Sequence, residues 1–174
     1  PGVDKNGDGR IQYVTLEGEM GHQDAIVRTE SVTESMKNNG LQIEKLSCQI
    51  ANWNRAQAQN RMTQLIGQYK NSIELVIANN DAMALGALQA IEAAGRTVNK
   101  DIYLVGVDAL VEVVENVMND KMTGTVFNDY FGQAHKAADV ALDFVNGKDV
   151  DNVYMVDYVK VTPENASEIL ELIK

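Results

Sequence analysis

The sequence predicts an α/β protein, a three-layer sandwich in which helices cover both faces of a mainly parallel sheet. Three observations carry that reading. Short apolar runs alternate with longer amphipathic stretches along most of the chain, the pattern of βαβ units. Several helical stretches stop at a glycine, as a helix end does. The strand-like runs end in clusters of Asn, Asp and Glu.

In chain order, Ile11 to Glu17 alternates like a strand, and "GEMGHQDAIVR" opens a helix that closes near "KNNG", with Gly40 as its cap. "LQIEKLSCQI" is the next strand and "NRAQAQNRMTQLIGQY" the next helix, rich in strong helix formers. "IELVIANND" is a continuous apolar run ending in polar residues, followed by the helical "AMALGALQAIEAAG". "IYLVGVDA" and "LVEVVENVMND" repeat the unit, and "TGTVFND" with "GQAHKAADVALDFVNG" repeats it again. The end breaks the rhythm. "VYMVDYVKVT" reads as extended chain, and "PENASEILELIK" as a terminal helix with Pro163 at its start and Glu164 in its first turn.

With 174 residues the chain is long enough for one well-packed domain, or for one domain and a tail. Its net charge of −10 argues against nucleic acid or an anionic membrane as partner. No apolar run approaches the ~18 residues of a membrane span. The chain begins without Met or a leader-like segment, which fits a mature chain and an excised piece equally. Cys48 is the only cysteine, so no internal disulfide forms, and its place in a strand predicts a small core residue.

The opening "DKNGDGRIQ" is the front of an EF-hand calcium loop, with oxygen-bearing side chains at alternating positions, a glycine turn and an aliphatic residue after it. The twelfth position should be a bidentate glutamate but is Thr15, inside the first strand. The last ligand must therefore come from elsewhere, which makes the site a staple between distant segments.

Ligands of open parallel sheets bind beyond the carboxyl ends of the strands. Those ends carry Glu17 to Asp24, then Asn52-Trp53-Asn54, then Asn79-Asn80-Asp81, then Asp108, then Asn128-Asp129. Singly, Asp81, Asp108 and Asp129 read as helix N-caps, and Arg28 as half of an i,i+4 pair with Asp24. Together they exceed what capping requires and read as a ligand rim. Amides, carboxylates and one guanidinium, without a glycine-rich phosphate cradle, suit a polyhydroxylated neutral ligand. Trp53, flanked by polar residues, suits the C–H face of a sugar ring. His22 and His135 lack metal-ligand spacing, and no hydrolase elbow, dinucleotide fingerprint or phosphate loop occurs. Binding without chemistry is the favoured reading.

In order and spacing, "DKNGDGRIQ", "GEMGHQDAIVR", "IELVIANNDAMALGA", "GVDAL" and "GTVFND" resemble the bacterial galactose/glucose-binding proteins, type I periplasmic receptors of sugar ABC transporters and of chemotaxis. The resemblance implies calcium held by Asp4, Asn6, Asp8 and Gln12, by the Arg10 carbonyl, and by Glu74 as the bidentate carboxylate. It implies sugar contacts from His22, Asp24, Arg28, Asn80, Asp108 and Asn128, with Trp53 stacked on the ring. The sequence departs from the family pattern at Met20 and Gln23, where prolines flank the histidine, and at Asn54.

Members of that family have two lobes, so the resemblance makes this chain a C-terminal portion, truncated at its N-terminus. Residues 1–128 would be the sugar-binding lobe. Residues 129–174 would be a crossover, from about Asp129 to Tyr158, and a tail that pack on the absent lobe. The implied partners are galactose or glucose, a transporter permease, a chemoreceptor, and a second copy through the exposed crossover surface. The implied location is the periplasm or, as a lipoprotein, the surface of a Gram-positive cell. The rivals are the sensing domain of a LacI-type regulator, a carbohydrate-active enzyme domain, and a calcium module without a ligand. Cytoplasmic calcium is too scarce for the first of these.

Overall fold

The computed structural model of the chain describes residues 2–174. Strands β1 (Ile11–Glu17), β2 (Ile43–Ile50), β3 (Leu75–Ala78) and β4 (Tyr103–Val105) form a parallel sheet in the order β2-β1-β3-β4. Helices α1 (Gln23–Asn38), α2 (Arg55–Tyr69) and α3 (Asp81–Ala93) join them. The chain moves one way from β1 to β2, and the other way from β2 to β3 and on to β4. Right-handed crossovers therefore place α1 on one face and α2 with α3 on the other. The reversal falls between β1 and β3, where the departing loops separate and a crevice opens.

Burial follows position in the sheet. Central β1 is covered on both faces, so Tyr13, Val14, Thr15 and Leu16 are all buried. Edge strand β2 is covered less, and Cys48 is exposed there, its thiol donating to Glu17. The expectation of a core cysteine is thus corrected: an apolar-looking run on an edge strand leaves one side to solvent. Helices α2 and α3 pack tightly because Gly86 has no side chain. A Cβ there would lie 2.1 Å from the Arg55 carbonyl oxygen.

Helix α4 (Val111–Met118) leads to β5 (Thr125–Phe127), which continues the sheet beside β4 through a Val105–Gly124 bridge and the Asp108 N–H to Val126 C=O bond. Residues 129–174, expected to pack on another lobe, divide in two. Helix α5 (Tyr130–Val145) has no buried residue, and Phe144, Val145, Val153 and Met155 are exposed. By contrast β6 (Val159–Val161) pairs antiparallel with β5, and α6 (Ala166–Ile173) buries Ala166, Ile169 and Leu170, with α4 as its packing partner.

That last helix starts later than its sequence suggests. Pro163 and Glu164 lie in the turn before it, because Asn165 accepts from the Thr162 N–H and donates to the Lys160 carbonyl, holding the chain in a turn.

Candidate functional site

At the carboxyl end of β1, the loop 18–22 leads into α1. His22 is the N-cap, and its Nδ1 accepts from the Asp24 N–H at 3.1 Å. One turn on, Arg28 reaches across the crevice. Its Nη1 donates to the Asn79 carbonyl at 2.8 Å, and the guanidinium lies 3.5 Å from Asp108 and 3.7 Å from Asp24. The expected i,i+4 pair is present, and with it a cross-rim contact to Asp108 that the sequence does not show. Trp53 sits between these groups. Its ring lies edge-on to His22 with centroids 5.3 Å apart, and the Arg28 guanidinium carbon is 5.8 Å from it.

His22, Asp24, Arg28, Trp53 and Asp108 thus form one connected cluster. Asn128 joins it less directly. It shares with Asp108 a concavity of about 390 Å³, also lined by Leu110 and Tyr130, and accepts from Gln133 at 2.6 Å. Asn80 caps α3 by accepting from the Met83 N–H at 3.0 Å, and among the described residues its side chain makes no hydrogen bond to the cluster.

Two carboxylates of this end are pushed up from their ordinary range. Burial raises Asp81 to about 6, and the Thr125 hydroxyl and Leu110 N–H that donate to it oppose the rise only in part. Burial also raises Asp108, against the pull of Arg28. Neither is the N-cap its sequence position suggested. Asp81 is the first residue of α3, one step past its cap, with its carboxylate turned to the start of α4 and to β5. Asp108 lies two residues before Leu110, the N-cap of α4. Asp129 does cap α5, accepting from the Gly132 N–H at 2.8 Å.

At the other end of β1, residues 4–12 fold into a loop of oxygen-bearing side chains. Asp4 accepts from the N–H groups of Gly7 and Gly9, Asn6 from that of Asp8, and Asp8 from that of Arg10. Asn6 donates to Gln12, and Gln12 donates to Asp8 at 2.7 Å. Glu74, fully buried and 62 residues from Gln12 in sequence, accepts from the backbone N–H groups of Lys5, Asn6 and Gln12.

As a test of fit for a cation, the donor set is all oxygen and mixes carboxylate with amide, which suits a hard ion such as calcium. Glu74 has only neutral N–H partners, so a positive charge beside it would complete its shell. Among the described residues no three His, Cys, Asp or Glu side chains cluster tightly enough to hold a metal by themselves, so the amides of Asn6 and Gln12 are indispensable to such a site.

Residues 3–149 match the model of a family described as the periplasmic binding protein domain. The chain belongs to that family. It is 36% identical to the D-galactose/methyl-galactoside binding periplasmic protein MglB of Haemophilus influenzae, over 98% of this chain and 54% of that protein. Among solved structures it resembles an ABC transporter solute binding protein of Bacillus halodurans with bound myo-inositol (33% identity, TM-score 0.82, 94% of this chain and 55% of that one). It also resembles a periplasmic solute binding protein of Actinobacillus succinogenes with bound D-allose (28% identity, TM-score 0.84, 91% and 54%). These relatives are binding proteins, not enzymes. The chain spans about half their length.

Asn79 and Gly18 belong to the strand-end clusters of the sequence, and the structure gives each a specific part. Asn79, buried beneath Asn80, accepts from the Gly18 N–H and exchanges hydrogen bonds with Thr29, while its carbonyl holds Arg28. It ties β3 to the loop after β1 and to α1. Gly18 lies directly against the Trp53 ring. Its only sequence signal is its place at a strand end.

Proposed function

We propose that the protein carrying this chain is an extracytoplasmic receptor that binds a galactose- or glucose-type monosaccharide and delivers it to an ABC transporter, with a chemoreceptor as a second client. The observation that carries this reading is the position of Arg28, a cation held between two carboxylates and a backbone carbonyl with an indole at its side. Such a constellation offers sugar hydroxyls charged donors and acceptors, and offers the ring an apolar face. Binding is reversible and breaks no covalent bond. The 4–12 loop with Glu74 takes one calcium ion, which ties β1 to the chain entering β3. The galactoside-binding relative supports the sugar, and the inositol- and allose-bound neighbours define the panel to test.

Calorimetric titration of the full-length protein with D-galactose, D-glucose, D-allose and myo-inositol is expected to give a micromolar or tighter constant for one of the first two. Failure of both, or turnover of a nitrophenyl galactoside, overturns the reading. The 174-residue chain alone is expected to bind these sugars weakly, and to associate as a homodimer through the exposed apolar residues of α5, read by light scattering.

A further inference from the structure

Gly18 is the first residue after β1, and its N–H is anchored to Asn79 at 3.1 Å. The neighbouring Glu17 carbonyl accepts from the Ala51 N–H at 2.8 Å, and the Ala51 carbonyl from the Asn54 N–H at 2.9 Å. The turn carrying Trp53 is therefore fixed to the strand end that carries Gly18. Within that turn Asn52 and Trp53 have φ of 52° and 60°, in the left-handed region where side chains crowd the backbone.

A Cβ on Gly18 would lie 2.2, 2.3 and 2.4 Å from Cζ2, Cε2 and Cη2 of the indole. Three successive ring atoms at nearly equal distance place that point over the face of the six-membered ring, not at its edge. His22 packs edge-on with the ring and Arg28 lies over it, so both neighbours restrict its movement.

We infer that Gly18 is a positioning residue for ligand binding: its bare Cα lets the Trp53 indole lie flat on the end of β1 and so sets how far the aromatic plate stands into the crevice. This rests on the sugar-receptor reading for the ligand, but not for the geometry. Any side chain at position 18 lifts the plate by roughly 1.5 Å before ordinary contact is restored. The separation of the indole from the Arg28 guanidinium, 5.8 Å from ring centroid to guanidinium carbon, changes with it. The ligand class is a pyranose or cyclitol that presents an axial C–H face to the indole and hydroxyls to the charged pair.

Trp53 is the only tryptophan of the 174-residue chain, so its emission reports on the surroundings of this indole alone. Gly18 does not have a positive φ, and Gly18→Ala adds no backbone strain. The variant is expected to shift the emission to the red and to increase quenching by acrylamide. Unchanged emission overturns the inference, whether or not any sugar binds.

Titration of the full-length protein with D-galactose and myo-inositol then separates positioning from a merely structural role. Gly18→Ala is expected to weaken binding by about tenfold, the scale of one lost ring-face contact, and to have no further effect once Trp53→Ala is present. Equal losses in both backgrounds overturn the inference. Should Gly18→Ala fail to fold, the double variant with Trp53→Ala is expected to fold, and its failure overturns the inference equally. Absence of sugar binding by the unaltered protein refutes the receptor reading and leaves the emission result to decide on Gly18.

Discussion

The two ends of β1 carry the same kind of residue and treat it in opposite ways. In the loop at the amino end, the exposed Asp8 carboxyl is held below its usual range, first by the Arg10 backbone N–H and then by the side chains of Gln12 and Asn6. At the carboxyl end, burial pushes Asp81 and Asp108 up, and the donors around them offset it only in part. The loop is largely exposed, and water still solvates the Asp8 carboxylate. The rim is roofed by α4, β5 and α1, and the loss of water outweighs two or three hydrogen bonds. An end that stabilises anions unaided is ready for a cation. An end that strains them is ready to be relieved by a ligand's hydroxyl donors.

The comparison breaks first at Glu74, the fully buried carboxylate proposed to complete the loop's cation site. Glu74→Gln keeps one oxygen acceptor but turns an NH2 towards backbone N–H groups that donate to the native carboxylate. The expected loss is about 1–3 kcal/mol from the unsatisfied donors, with most of the calcium-dependent rise in melting temperature gone as well. Thermal melts with and without calcium check both. A full calcium shift in the variant removes Glu74 from the site.

Next comes pH at the rim. Asp81 has a folded-state pKa of about 6, above the ordinary 3.8. The folded protein therefore binds more protons than the unfolded chain between those values. The stability this group contributes is complete below pH 4 and is lost as the pH rises through 6. The amount is on the order of 2–3 kcal/mol. Urea titrations of the native chain and of Asp81→Asn at a series of pH values between 4 and 7 measure it. Asp81→Asn is expected to abolish the slope that this residue supplies. Parallel curves for the two proteins would show that Asp81 does not titrate in this window.

The strands and helices are legible because each depends on neighbours in sequence. β1 falls on Ile11–Glu17 as its alternation requires, and the helix after it yields to Asn39 and Gly40. The loop is nearly as local, since Asn6, Asp8 and Gln12 meet within seven residues and Asp4 holds the turn between them through Gly7 and Gly9. The rim is not. That Cys48 sits on an edge, that Asp81 faces α4 instead of capping α3, and that Asn79 gathers three segments are consequences of sheet order, which short-range pattern does not contain. Gly18 is the extreme case, because its role is a missing atom beside a ring 35 positions away in the chain.

The smallest effect expected is at Arg28, and it tests whether the rim's acids respond to charge as well as to burial. Asp108 is raised by burial and lowered by Arg28, whose guanidinium stands 3.5 Å away. Removing that charge in Arg28→Ala should send the Asp108 carboxyl higher still, while Arg28→Lys should hold it near the native position. Both are partly exposed pairs, so the change in stability should stay below about 1 kcal/mol. The direction of the titration is the sharper readout, followed by carboxyl carbon resonances of Asp108 in the two variants. A rise in Arg28→Ala that Arg28→Lys does not share separates charge from packing. No rise in either variant would leave burial as the whole cause and make Arg28 a clamp on the Asn79 carbonyl alone, with Asp108 indifferent to the cation beside it.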